Sequence, residues 1–127
     1  MEMDRIELAV RLPSNRPPFH PGVMLREEFL EPLGISQTEL ARRIGVSYVR
    51  VNELVNGKRG VTPDTALRLS RAFRMSVEFW LNGQLRWDMW HALHSPAMAE
   101  IEKIEPLELD RTIHEERDDD TEALAAD

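Results

Sequence analysis

The chain has 127 residues, no cysteine and a formal net charge of −7, a length that allows one ordinary domain with tails and not two. Without cysteine there is neither a disulfide framework nor a thiolate metal site, which suits a reducing compartment. No apolar run nears the roughly 18 residues needed to cross a bilayer, and the opening MEMDRIELAVRLPSNRPPF lacks the uninterrupted apolar stretch of a secretory signal, so the expectation is a soluble, cytoplasmic protein.

Residues 1–19 contain Pro13, Pro17 and Pro18 and an alternating piece, IELAV, which can pair as a strand only where something offers it an edge; a flexible N-terminal arm is expected. From Pro21, PGVMLREEFLEPLG sets Val23, Met24, Leu25, Phe29 and Leu30 at turn-related spacings and closes at Pro32 and Gly34, the pattern of a first helix. Ser36 precedes QTELARRI with Glu39 three residues on, so a capping box should open the second helix and Gly45 should end it at no steric cost. Ser47 caps a third, YVRVNELVN, stopped by Asn56 and Gly57. Thr62 and Pro63 open a fourth, PDTALRLSRAFR. Ser76 caps a fifth, VEFWLNGQLRWDMWHAL, whose apolar residues cover more than one narrow stripe, so one face should meet the core and another a second molecule. Within it Gly83 is a weak point, worth about 1 kcal/mol against alanine. Beyond Pro96 the pattern fades into an acidic stretch read as extended or marginally helical until bound. The predicted architecture is all-α: an arm over 1–19, a five-helix domain over 20–95 and an acidic tail over 96–127.

The charges are sorted along the chain. Ser36 to Arg74 holds eight basic and three acidic residues, net +5, while Pro96 to the end holds twelve acidic and three basic, net −9. A basic middle and an acidic tail suit two partners of opposite charge; a solvated helix face and a solubilising tail are the plainer alternative.

The basic middle coincides with the second and third helices. Two short helices joined by a glycine-containing turn of about four residues present the first turn of the second to a DNA major groove. Ala41 is small where the helices approach, and Leu40, Ile44, Val46, Val51 and Leu54 supply a shared core. That leaves Ser47, Tyr48, Val49, Arg50, Asn52, Glu53 and Asn56 near the exposed side, with Lys58 and Arg59 just past the helix and Gln37 at the amino end of the second helix. Arg50 and Asn52 are expected to read bases, Tyr48 and Val49 to meet thymine methyls, and Lys58, Arg59 and the amides near Gln37 to hold phosphates.

The same stretches resemble HigA-type antitoxins, compact helix-turn-helix proteins of the phage-repressor-like (XRE) class. The resemblance rests on HPGVMLREEFLEPLGISQTELARRIGV, VNELVNGKRGVTPDTALRLSRAF, MSVEFWLNGQ and RWDMWHAL, covering about His20 to Leu93. It implies a lambda-repressor-like bundle, an operator-binding homodimer that represses its own operon, and a HigB-type, mRNA-cleaving toxin as protein partner. Arg74 stands where such proteins usually have a glycine, Gly83 replaces an apolar residue, and the acidic tail is longer than the resemblance implies.

Trp80, Leu81, Trp87, Met89 and Trp90 of the fifth helix are read as the dimer interface, because they offer more apolar surface than one small core needs. His91 and His94 form H-x-x-H without a third ligand, so no metal is expected, and no cofactor. No nucleophile with a base and no phosphate loop is visible, which argues against an enzyme. A free-standing repressor without a toxin, and an interaction module whose basic patch is incidental, remain as alternatives.

Overall fold

The structure, a computed structural model, describes residues 16–109. The IELAV piece and the densest acidic run, beyond residue 109, lie outside the described residues. The first helix, α1, is continuous over 21–33 but not uniform: an α-helical turn at Pro21–Met24 widens into a π-helical stretch at Leu25–Leu30 and closes at Glu31–Leu33. Pro32 has no N–H to give, and its ring would press on the carbonyl four residues back, so a widened ladder just ahead of it relieves the clash. Gly34, with φ 65°, ends the helix.

Four further helices fall where the sequence predicts them: α2 Gln37–Ile44, α3 Tyr48–Val55, α4 Pro63–Phe73 and α5 Val77–Leu93. Ser36, Ser47, Thr62 and Ser76 each accept a hydrogen bond from the amide three residues on, at 3.1, 3.1, 3.3 and 3.1 Å. The reciprocal half of the expected capping box is absent. The Glu39 carboxylate turns along the helix instead, accepting from Arg42 at 2.6 and 3.1 Å and from Arg43 at 2.8 Å. Two charge-assisted partners outcompete one amide.

A short sixth helix, α6 Ala97–Ile101, follows α5, where the sequence suggested only an extended or marginally helical tail. Its Met98 is buried, so packing rather than propensity holds it, and the folded part runs past the boundary expected at Pro96. From Ile101 to Leu109 every residue is exposed.

Leu25, Leu30, Leu40, Ala41, Val51, Leu54, Leu69 and Trp80 meet in one core. Trp80 is fully buried and corrects one expectation: it has no surface to offer a second copy. Its indole sits 5.2 Å from Phe29, 6.2 Å from Phe73 and 5.0 Å from Phe79, so one aromatic cluster ties α1, α4 and α5 together. Gly83 is likewise buried, and a Cβ there would come 3.3 Å from the Pro21 side chain. The glycine that looked like a weak point is the place where α5 lies against α1.

Candidate nucleic-acid interface

The α2–α3 unit is held by local chemistry. Gly45 adopts φ 73°, and its amide and that of Val46 both donate to the Ala41 carbonyl, at 2.9 and 3.0 Å, which reverses the chain into Ser47. Val51 and Leu54 then face the core, and the opposite side of α3 is left to solvent: Tyr48 and Val49 are 50% and 59% exposed. Apolar groups so exposed at the amino end of a helix are unfavourable in water and suited to base edges.

The Asn52 amide donates to the Gln37 side chain at 3.0 Å and lies 3.5 Å from the Tyr48 hydroxyl. The first residue of α2 is thereby fastened to the middle of α3, and the amide of Asn52 is presented in one orientation. Ser47 uses its hydroxyl oxygen as a cap, and the Asn56 side chain donates to the Asn52 carbonyl at 2.9 Å, closing the helix. Past it, Gly57 takes φ 71° and Lys58 and Arg59 are exposed. Glu53 lies 3.5 Å from the Arg59 guanidinium; Lys58 makes no ion pair among the described residues.

Arg50 departs from its expected place. Its guanidinium donates to Asp64 and to the buried Thr65 hydroxyl, both at 2.6 Å, bracing α3 against the first turn of α4. Asp64 also accepts from Arg68 at 2.9 Å, and these two hydrogen-bonded guanidiniums hold its carboxyl below the usual range. Arg68 in turn donates to the Ile44 carbonyl at 2.7 Å, capping the end of α2. Much of the basic middle is thus internally compensated: Arg42 and Arg43 hold Glu39, whose carboxyl their hydrogen bonds pull down to about 2.

Four residues that sequence reasoning passed over shape the site. A Cβ on Gly22 would sit 1.7 Å from the Leu54 carbonyl oxygen, so α1 touches α3 backbone to backbone. His20 caps α1 through Nδ1, which accepts from the Gly22 amide at 2.9 Å, and its ring meets Trp87 edge-on at 5.0 Å. Arg68 caps α2 as described. Gln84 of α5 accepts from the Val61 amide at 2.7 Å, pinning the loop that carries Lys58 and Arg59.

The remaining α5 residues are only partly available. Trp87 packs on His20 and on His91, Trp90 stacks on His94 at 3.9 Å, and Leu81 packs against the core. His91 and His94 each direct Nδ1 to a carbonyl one turn back, at 2.8 and 2.7 Å. Leu81, Leu85 and Met89 follow one another at four-residue intervals, a single stripe along the helix. Among the described residues no helix is long and apolar enough to cross a membrane.

The helix-turn-helix family model matches residues 26–80, which span α2, α3 and the turn between them. Virulence-associated protein I of Dichelobacter nodosus is 49% identical over 73 residues, 58% of this chain and 68% of that protein. Antitoxin HigA-1 of Vibrio cholerae is 44% identical over 78 residues, 61% of this chain and 72% of its own length. The chain belongs to the HigA-type antitoxin family. Pseudomonas aeruginosa antitoxin HigA, solved with the higBA promoter, superposes with a TM-score of 0.66 at 41% identity, over 72% of this chain and 99% of that one. Nearly all of that solved HigA is therefore matched by less than three quarters of this chain.

Proposed function

We propose that this HigA-type antitoxin binds operator DNA as a two-fold dimer, represses its own operon and neutralises a HigB-type toxin. The observation that carries the DNA reading is the exposed amino end of α3, where Tyr48 and Val49 stand out beside an Asn52 amide fixed by Gln37. Asn52 reads a base, Tyr48 and Val49 meet thymine methyls, and Gln37, Ser47, Lys58 and Arg59 with neighbouring amides hold phosphates. Glu53 and Asn56 set the end of the helix, and Arg50 orients it from behind. Anisotropy titration of the protein with its own upstream region and with random DNA tests this: Asn52→Ala should weaken the native site selectively, and equal losses on both DNAs would remove Asn52 from base reading.

A single helix-turn-helix contacts too little DNA for high specificity, so two copies with recognition helices about 34 Å apart are expected on a palindrome. Leu81, Leu85 and Met89 form the stripe best suited to join them, while Trp87 and Trp90 lie away from it around the helix.

The toxin contact is assigned to the chain after α6. Ile104, Leu107 and Leu109 are exposed and interspersed with Glu105 and Glu108, apolar anchors within an acidic run that suits the basic face of an RNA-cleaving protein. A chain ending at Lys103, which keeps Met98 in place, should bind operator normally but protect a cell-free translation reaction from purified toxin less well than the full chain. Full protection would return the contact to the folded domain.

A further inference from the structure

A groove among the described residues is lined by no residue of α3. It has a volume of about 500 Å³ and is walled by Met24 and Phe29 of α1, Met75 before α5, and Phe79, with Glu27 and Glu28 among its lining residues. Phe19 stands at its edge, 68% exposed. A smaller cleft of about 220 Å³ continues from it, sharing Phe19 and Met24 and lined by Arg16, Pro17 and Pro18. The chain therefore enters its first helix along the groove itself.

Two stretches of this chain outside the described residues could cover that apolar floor, and charge separates them. Residues 110–127 carry eight acidic and two basic residues, the same sign as Glu27 and Glu28. Residues 1–15 carry three acidic residues and two arginines, Arg5 and Arg11, and include Ile6, Leu8, Val10 and Leu12 at alternate positions. In an extended chain those four side chains fall on one face. From Arg16 back to Val10 is six residues, a reach of about 20 Å when extended, so the apolar row can lie beside residues that its own continuation already lines.

We propose that residues 6–12 of this chain occupy the groove between α1 and the start of α5, their apolar face on Met24, Phe29 and Phe79, with Arg11 at the Glu27 and Glu28 rim. The occupant is the same chain's arm, and it joins α1 to the start of α5. This does not depend on the DNA or toxin assignments.

The absence of native cysteine makes a cross-linking test clean. In full-length protein carrying Val10→Cys with Met24→Cys, mild oxidation should close an intrachain disulfide. A tether alone gives an effective concentration of about millimolar, so docking should make closure at Met24 at least about tenfold faster than in a Val10→Cys, Thr38→Cys control on α2. Equal rates overturn the proposal. So does a disulfide that forms between separately prepared Val10→Cys and Met24→Cys chains after mixing, because the occupant is then a second copy's arm. Methionine-methyl NMR supplies an independent readout: Val10→Asp should shift Met24 and Met75 and leave Met89 and Met98 in place, and unmoved Met24 and Met75 signals would overturn the proposal.

Discussion

At the scale of single residues, the sharpest constraint is Gly22. A methyl group there meets the Leu54 carbonyl oxygen at 1.7 Å, backbone that cannot swing aside, so Gly22→Ala should destabilise the fold by roughly 3 kcal/mol. Chemical denaturation measures this, and a loss no larger than that of an exposed alanine substitution would mean α1 and α3 separate freely. Arg74 is the opposite case: it holds φ 56° where most residues are strained, and Arg74→Gly should stabilise by roughly 0.5 kcal/mol after the added chain entropy of glycine is allowed for. His20 gives a pH dependence. Burial lowers its pKa from the ordinary 6.5, with the His91 charge acting in the same direction and Asp88 opposing. As pH falls below about 6.5 the unfolded chain takes up the proton first, so stability declines from there down to the folded-state pKa and then levels off. His20→Asn keeps a capping oxygen and should flatten that decline in thermal melts between pH 7.5 and 5. The four serine and threonine caps were legible in the sequence because donor and acceptor lie three residues apart. Gln84 and Arg68 were not, since their partners lie 23 and 24 residues away and only the packed fold brings them near.

At the scale of elements, the recognition helix is positioned by two side-chain links. Gln37 to Asn52 fixes it to α2, and Arg50 to Asp64 and Thr65 fixes it to α4. Arg50→Ala should therefore lower stability by about 1 kcal/mol, the worth of a hydrogen-bonded group lost at a buried hydroxyl, and weaken native and random DNA alike. Asn52→Ala should cost about 1–3 kcal/mol on the native operator alone. Reversed outcomes in paired melts and titrations would exchange the two roles. The sequence distinguished exposed from buried positions on α3 by spacing. It could not say whether an exposed arginine reaches outward or back, because that depends on Asp64, which the spacing of α3 does not register. The π-helical turn in α1 and the short α6 were hidden for related reasons: one is a response to Pro32, the other rests on a single buried methionine.

At the scale of the whole molecule, charge and association set what can be measured in solution. Lys58→Ala and Arg59→Ala should each reduce the slope of log affinity against log salt by roughly one unit if each side chain meets a phosphate; an unchanged slope would withdraw the contact. Leu85→Glu with Met89→Glu should give monomers by sedimentation and a matching loss of operator affinity, whereas a dimer of undiminished strength would move the interface off α5. The apolar excess of that helix overstated its free surface when read from sequence, since Trp80 fills the core and Trp87 covers His20. The bond from Gln84 to the Val61 amide has a consequence for control. It joins the helix proposed for self-association to the loop proposed for phosphates, so binding at one is expected to change affinity at the other. Such coupling is reciprocal: whatever factor a bound protein imposes on operator affinity, the operator imposes on that protein. Gln84→Ala should shrink that factor toward one while leaving each separate affinity measurable.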